Sequence, residues 1–184
     1  AFEFSKACAE AGVKPILGVQ LDVASPVEEM TENKNKTFEG SKETDQIILY
    51  AQNDLGYRNL LKLVSNYHLV AQDHDQPIIS MDDIELYNEG IIALTGGVKG
   101  GIGRLLCENK NTSAEKLLIH LKNVFMDRLY IEIQRHGLPI ENKIEEELIG
   151  LAHKFDVPLI ATNECFFETP DMYESHDALM CIAA

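Results

Sequence analysis

The chain has 184 residues, 45% of them hydrophobic and 25% charged, so it is long and apolar enough to bury the core of one domain. Its formal net charge of −14 disfavours direct binding to a phosphate backbone, which depends on clustered Lys and Arg side chains. Neither a signal peptide nor a run of about 20 apolar residues is present, so neither secretion nor a membrane span is supported, and the cytoplasm is the expected compartment.

Helical and strand-like patterns alternate along the chain. Helices are predicted where apolar residues recur every three or four positions, and strands where short β-branched and apolar runs occur. The polar stretch 24–44 has no periodicity and predicts a loop or hairpin. In chain order, the predicted elements are a helix at 1–11, strands at 14–23 and 46–51, helices at 55–70 and 81–87, a strand at 90–94, helices at 101–107 and 114–125, a strand at 129–133, a helix at 141–155, a strand at 157–161 and a helix at 171–183.

This alternation predicts an α/β fold with a mainly parallel sheet or barrel. No repeat of fixed length is present, so residues 1–184 are expected to form a single domain. The first and last predicted helices reach the ends of the chain, which also lacks an initiator Met. We therefore expect the domain to belong to a larger multidomain polypeptide.

A glycine-rich stretch, Gly96 to Gly103, lies between a predicted strand and a predicted helix, where backbone amides can cradle a phosphate. Gly96 and Gly101 have P-loop spacing, but Ile102 and Gly103 replace the Lys and Ser or Thr that contact phosphate and Mg²⁺. The favoured interpretation is a tight structural turn followed closely by a helix.

The six histidines and four cysteines form none of the spacings typical of zinc sites or disulfide frameworks. His120 and His153 fall in amphipathic helices, and His68 and His74 flank a loop, so all four are expected at the surface or its boundary. His176 is expected to cap or pack the last helix. An alternative is a nucleophilic pair of Cys165 and His176, but the sequence supplies no third group to orient it.

Two predicted strands end in side chains that are able to bind a metal ion or transfer a proton. The strand at 129–133 is followed by Gln134-Arg135-His136-Gly137, and the strand at 157–161 by Thr162-Asn163-Glu164-Cys165. In α/β proteins functional groups gather at the carboxyl ends of strands, so His136 and Glu164 are candidates for metal ligands or acid-base groups. The alternative is that Glu164 caps a turn while His136 makes a local hydrogen bond.

Three stretches are the most distinctive: NDLGYRNL at 53–60, EIQRHG at 132–137 and HDAL at 176–179. They occur together with KPILGVQLDV at 14–23 and LIATNEC at 159–165. In this order, and along nearly the whole chain, the sequence resembles the PHP (polymerase and histidinol phosphatase) domain of bacterial DNA polymerase III α subunits. A generic PHP phosphatase is not expected to share these stretches.

The resemblance implies a distorted (β/α)₇ barrel with up to three metal ions at the carboxyl ends of its strands. The family's opening H-x-H strand, and the next strand with its Asp-His ligands, precede Ala1 in the family pattern. The resemblance therefore implies an incomplete barrel without its N-terminal strands.

The resemblance also implies a largely dismantled metal site. Metal-retaining members have Glu in the G-x-E of an early strand, His at the start of the next strand, and Asp-x-His after the Ala-Thr-Asn strand end. The matching residues here are Gln20, Gln46, and Glu164 with Phe166. An amide oxygen is a weak neutral ligand and a phenyl ring is none, so only Glu164 and His136 keep a usual donor. Two ligands seldom hold catalytic Zn²⁺, Mn²⁺ or Mg²⁺, so we expect a vestigial site with no bound metal and no catalytic residue.

The resemblance implies DNA-directed DNA synthesis by the parent chain, with Mg²⁺ held in a different domain. The PHP segment is then expected to be an inactive scaffold that docks the proofreading exonuclease subunit. Other replicase subunits are also expected partners, and DNA is expected to bind through other domains. The rival hypothesis is a metal-dependent PHP phosphoesterase or 3′-5′ exonuclease.

Overall fold

A computed structural model describes residues 2–24, 44–69 and 77–183. The predicted loop at 24–44 lies outside the described residues except for residues 24 and 44. His74 also lies outside them. The strands are β1 (Gly18–Ala24), β2 (Thr44–Ala51), β3 (Ile91–Leu94), β4 (Leu129–Gln134) and β5 (Leu159–Thr162). The α-helices are α1 (Phe2–Glu10), α2 (Asp54–Leu69), α3 (Met81–Leu86), α4 (Gly101–Cys107), α5 (Asn111–Phe125), α6 (Pro139–Phe155) and α7 (Tyr173–Ala183), and 3₁₀ turns lie at Gly97–Lys99, Met126–Arg128 and Pro170–Met172.

The five strands form one sheet in the order β1-β2-β3-β4-β5. The prediction of a mainly parallel sheet is wrong for its first half, because β1 pairs antiparallel with β2 and β2 pairs antiparallel with β3. The β3-β4 and β4-β5 pairings are parallel. Hydrophobic periodicity reports which residues face the core, whereas strand direction depends on how the connections cross the sheet.

Strands β3 and β4 form the most buried part of the sheet, and the helices α5 and α6 pack against them. Their apolar side chains are withdrawn almost completely from water, including Ile91, Ile131 and Phe125. Each such side chain contributes about 1.5–3 kcal/mol of transfer free energy. This packing fixes the position of β4, and β5 is held beside it by their parallel pairing.

Helix α6 follows the sequence prediction closely. Its inward positions Ile144, Leu148, Leu151 and Ala152 are all buried, as predicted. The helix ends at Phe155, and the next residue, Asp156, has a φ of 51°, in the left-handed region. Pro139 starts the helix two residues before the predicted start, because its fixed φ suits the first helical position.

A buried ion pair fastens α4 to β2. Arg104 donates from Nε to Oδ1 of Asp45 at 2.6 Å, and from a terminal nitrogen to Oδ2 at 3.1 Å. Asp45 is buried, and this two-point contact with the guanidinium group compensates the negative charge of its carboxylate, which has little water around it.

The helices at the two ends of the described chain expose apolar side chains. No residue of α1 is buried, and its Phe2 is 82% exposed. On α7, Leu179 and Met180 are exposed and Ile182 is 83% exposed. Within the described residues, none of the helices combines the length and apolar character needed to cross a bilayer.

Candidate functional site

The carboxyl ends of β4 and β5 bring His136 and Glu164 together. The two strands are parallel neighbours, and Gln134 at the end of β4 lies opposite Thr162 at the end of β5. Just beyond, Nε2 of His136 accepts a hydrogen bond of 3.3 Å from the backbone N–H of Glu164. The sequence placed these two residues at one sheet edge, and the structure shows them in contact.

Glu141 fixes the orientation of His136. Its Oε1 lies 2.7 Å from Nδ1 of His136, while its Oε2 accepts backbone hydrogen bonds from His136 at 2.8 Å and Leu138 at 3.1 Å. Because Nε2 of His136 accepts a hydrogen bond, we infer that Nδ1 carries the proton and donates it to Glu141. A carboxylate behind a histidine is the usual support of a metal-binding imidazole, but here the other nitrogen is already occupied by an amide.

Burial raises the pKa of Glu141, but hydrogen bonds from His136 and from the Leu138 amide outweigh that effect and hold the pKa below its usual range. Glu141 is not among the candidate site residues predicted from the sequence, because helical spacing does not report a contact that depends on the turn before α6. The available signal was a Glu in the first turn, two residues after Pro139, a position from which the side chain can reach back to free amides.

Glu132 is a second residue that sequence analysis missed. It lies in the middle of β4 and is only 1% exposed. Thr162 donates its hydroxyl hydrogen to Oε1, and the Gln134 amide lies 3.5 Å from the same oxygen. Among the described residues, none hydrogen-bonds to Oε2. Burial raises the pKa of Glu132, opposed by the Thr162 hydroxyl and the Gly96 backbone amide.

An open cavity of about 380 Å³ lies at the same edge of the sheet. Its wall includes Gln20 from β1, Glu132 and Gln134 from β4, and Thr162 and Glu164 from the end of β5. Gln20 and Glu164 therefore line the same cavity. The cavity is mixed in character, because Ile16, Val19, Ile48 and Tyr50 also line it.

The other two positions of the predicted vestigial site lie apart from this cavity. Gln46, in β2, lines a separate, mostly apolar cavity of about 30 Å³ with Val23, Met81 and Ile102. Phe166 is 65% exposed, and its ring stacks on His176 with centroids 5.3 Å apart. His136 contacts Glu164 but does not line the open cavity, and Gln46 and Phe166 also lie outside its lining.

The glycine-rich stretch forms a tight turn, as predicted, and it delivers a lysine to this edge. Gly96 and Gly97 have positive φ values of 78° and 54°, and α4 begins at Gly101. A β-carbon at Gly97 would lie 2.7 Å from Oε1 of Gln134, so the turn packs directly against the site. Nζ of Lys99 lies 3.2 Å from Oε1 of Glu164.

The residues present do not fit the metal ions implied by the PHP pattern. Gln20 and Gln46 offer neutral amides, and Phe166 offers no donor atom. Nε2 of His136 is engaged by an amide, and the Glu164 carboxylate by an ammonium group. Among the residues that the structure describes, no three His, Cys, Asp or Glu side chains are arranged to hold a metal ion.

Comparison with known proteins decides the family. A family model for the PHP domain matches residues 1–136, which is most of the chain. The chain belongs to the PHP domain family. The matched part includes Gln20, Gln46 and His136 of this PHP domain, whereas Glu164 and Phe166 lie beyond it.

The same chain is similar to proteins named DNA polymerase III subunit alpha. It is 36% identical to the Caulobacter vibrioides protein over 183 residues, which cover 100% of this chain and 15% of that relative. It is also 36% identical to the Rickettsia bellii protein, covering 99% of this chain and 14% of the relative. The Borreliella burgdorferi protein is 33% identical, with 99% and 15% covered. The chain therefore spans about one seventh of the length of these relatives.

Proposed function

We propose that this PHP domain is part of a replicative DNA polymerase III α subunit and serves there as a non-catalytic scaffold. The observation that carries the proposal is the state of the site: the usual donors are replaced at Gln20, Gln46 and Phe166, and the two that remain are bonded internally. The proposed polymerase is cytoplasmic, and its template-directed nucleotidyl transfer uses two Mg²⁺ ions held by another domain.

In this proposal the five-stranded sheet is part of an incomplete PHP barrel, and residues 1–184 act as one domain. Its surface serves as a docking site for the proofreading exonuclease subunit, beside other replicase subunits. The net charge of −14 supports a protein partner over a nucleic-acid partner for this segment, since DNA would be repelled. DNA is then held by other domains of the polymerase.

The test of the scaffold role uses the complete polypeptide that contains this domain. After exhaustive chelation, the protein is titrated with Mn²⁺ and assayed for hydrolysis of a phosphate monoester and of DNA 3′ ends. We expect no turnover attributable to the PHP domain, so that Glu164→Ala and His136→Ala leave any background rate unchanged. A background rate that these two substitutions abolish would refute the proposal.

The docking role is tested by cross-linking mass spectrometry of the complete polymerase with its exonuclease subunit. The exposed lysines of this domain, such as Lys6, Lys99 and Lys154, provide reactive amines. We expect cross-links between the exonuclease subunit and lysines of the PHP domain. Cross-links confined to other domains would show that the exonuclease subunit docks elsewhere. That result would not support the phosphoesterase hypothesis.

A metal-dependent phosphoesterase is the second candidate, and one arrangement favours it. The buried Glu141 holds His136 as a supporting carboxylate holds a metal ligand, and Glu132 keeps a buried oxygen without a hydrogen-bond partner among the described residues. Stoichiometric Mn²⁺ bound at this edge, together with turnover, would favour this function.

A further inference from the structure

Lys99 places a positive charge beside Glu164, which matches a metal-ligand position of the PHP pattern. The glycine turn before it holds Lys99 beside the end of β5, and its Nζ lies 3.2 Å from Oε1 of Glu164. A metal ion is often the largest positive charge in its site and offsets the repulsion between neighbouring carboxylates. Here Glu164 and the buried Glu132 line the same cavity, so an ammonium group beside Glu164 offsets the repulsion between two neighbouring carboxylates.

Two other contacts at this edge are also made within the chain. His136 Nε2 accepts the Glu164 amide hydrogen, and the Thr162 hydroxyl binds Glu132. Arg135 cannot supply the charge in its place, because it forms a two-point contact with Glu145 on α6. Lys99 is therefore the cation whose contact joins the glycine turn to the segment after β5.

We propose that the ammonium group of Lys99 has taken over the structural role of a metal ion and holds the segment after β5 against the glycine turn. The proposal rests on the scaffold function, because it assumes a site that works without a metal. It goes further by naming the group that replaces the metal. The segment after β5 should then stay against the glycine turn only while Lys99 is present, and chelators should have no effect on it.

The chain contains a closely matched control. Lys154 makes an ion pair of 2.6 Å with Glu115, and its side chain is 56% exposed, the same fraction as that of Lys99. The acidic partners also match, with Glu115 33% exposed and Glu164 32% exposed. The substitutions Lys99→Met and Lys154→Met each remove one charge while keeping a long flexible side chain, and only the first removes a contact at the site.

The experiment is hydrogen-deuterium exchange, read by mass spectrometry, on the complete polypeptide. The peptides of interest cover residues 94–101 and 159–169. An exposed ion pair is worth about 0.2–1 kcal/mol, so Lys99→Met should raise local exchange rates by up to about five-fold. Lys154→Met should leave these peptides unchanged, Lys99→Arg should restore protection, and neither chelation nor added Mn²⁺ should alter the wild-type protein.

Equal exchange in Lys99→Met and Lys154→Met would overturn the proposal, and so would wild-type exchange that rises on chelation. These results are separate from the test of the scaffold function. Phosphoesterase turnover at this edge would defeat the scaffold function itself. An unchanged Lys99→Met protein without turnover would defeat only the role of Lys99.

Discussion

Thr162 donates its hydroxyl hydrogen to the buried carboxylate of Glu132 across two neighbouring parallel strands. The contact links the carboxyl end of β5 to the middle of β4. Glu132 is the most deeply buried acidic residue at the candidate site. It also stabilises the charged form of a carboxylate that burial would otherwise disfavour.

Thr162→Val should destabilise the domain by about 1–3 kcal/mol, because it keeps the shape of the side chain but removes a hydrogen bond to a buried acceptor. The measurement is the free energy of unfolding in urea at neutral pH. Thr162→Ser is the control, since it keeps the hydroxyl group. A Thr162→Val protein as stable as wild type would mean that the hydroxyl contact does not stabilise this edge.

Glu132→Gln should reveal a pH dependence with a defined sign. The pKa of Glu132 in the folded protein is raised above its ordinary value of 4.5, so the folded state binds this proton more tightly than the unfolded state. Wild-type stability should therefore fall relative to Glu132→Gln as pH rises above about 4.5 and through the raised pKa. Urea unfolding of both proteins from pH 4 to 8 checks this, and a difference independent of pH would contradict it.

Glu141→Ala should change the tautomer of His136. The wild-type ring carries its proton on Nδ1, which donates to Glu141, and without that acceptor the fraction protonated on Nδ1 should fall. Nitrogen-15 NMR of the imidazole reports the tautomer directly. Glu146→Ala is the control, because Glu146 is exposed on the same helix.

The contribution of Glu141 to the free energy of unfolding should change with pH in the direction opposite to that of Glu132. Its folded-state pKa is lowered, so its contribution is complete above its ordinary value of 4.5 and is lost as pH falls through the folded pKa. The advantage of wild type over Glu141→Ala should therefore shrink on acidification. An advantage that grew on acidification would contradict the assigned contacts.

Gly100→Ala should be strongly destabilising. A β-carbon at this position would lie 1.7 Å from the backbone carbonyl oxygen of Thr95, so the turn must move, at a cost of about 1–3 kcal/mol or more. Gly150→Ala is the opposite case, because a β-carbon there meets nothing within 4 Å and Ala favours a helix by about 1 kcal/mol. Thermal unfolding should rank the proteins Gly150→Ala, wild type, Gly100→Ala. A stable Gly100→Ala protein would show that the turn can relax.

The sequence allowed the strand ends at His136 and Glu164 to be found, because short apolar runs and their polar termini are local features. It did not reveal Glu132, since an acidic residue inside an apolar strand gives no sign of the Thr162 hydroxyl that meets it across 30 positions. Glu141 was missed for a different reason. Helical periodicity assigns it to a face, whereas its contact with His136 depends on how the turn before α6 folds back.

Strand direction was the other limit. The buried runs in β2 and β3 predict strands, and the structure contains both. Their antiparallel pairing depends on the path of the chain between them, which apolar spacing does not encode. The same holds for Gln46, which pairs with Asp22, two positions along β1 from Gln20.

The exposed apolar residues of α1 and α7 have a consequence for the colloidal behaviour of the chain. At low ionic strength the net charge of −14 keeps molecules apart, whereas added salt shortens the range of that repulsion to about 10 Å at 0.1 M. Side chains such as Phe2 and Ile182 then meet with little electrostatic opposition. Solutions of the separate chain should therefore scatter more light as salt is raised, the reverse of what attraction between opposite charges would produce.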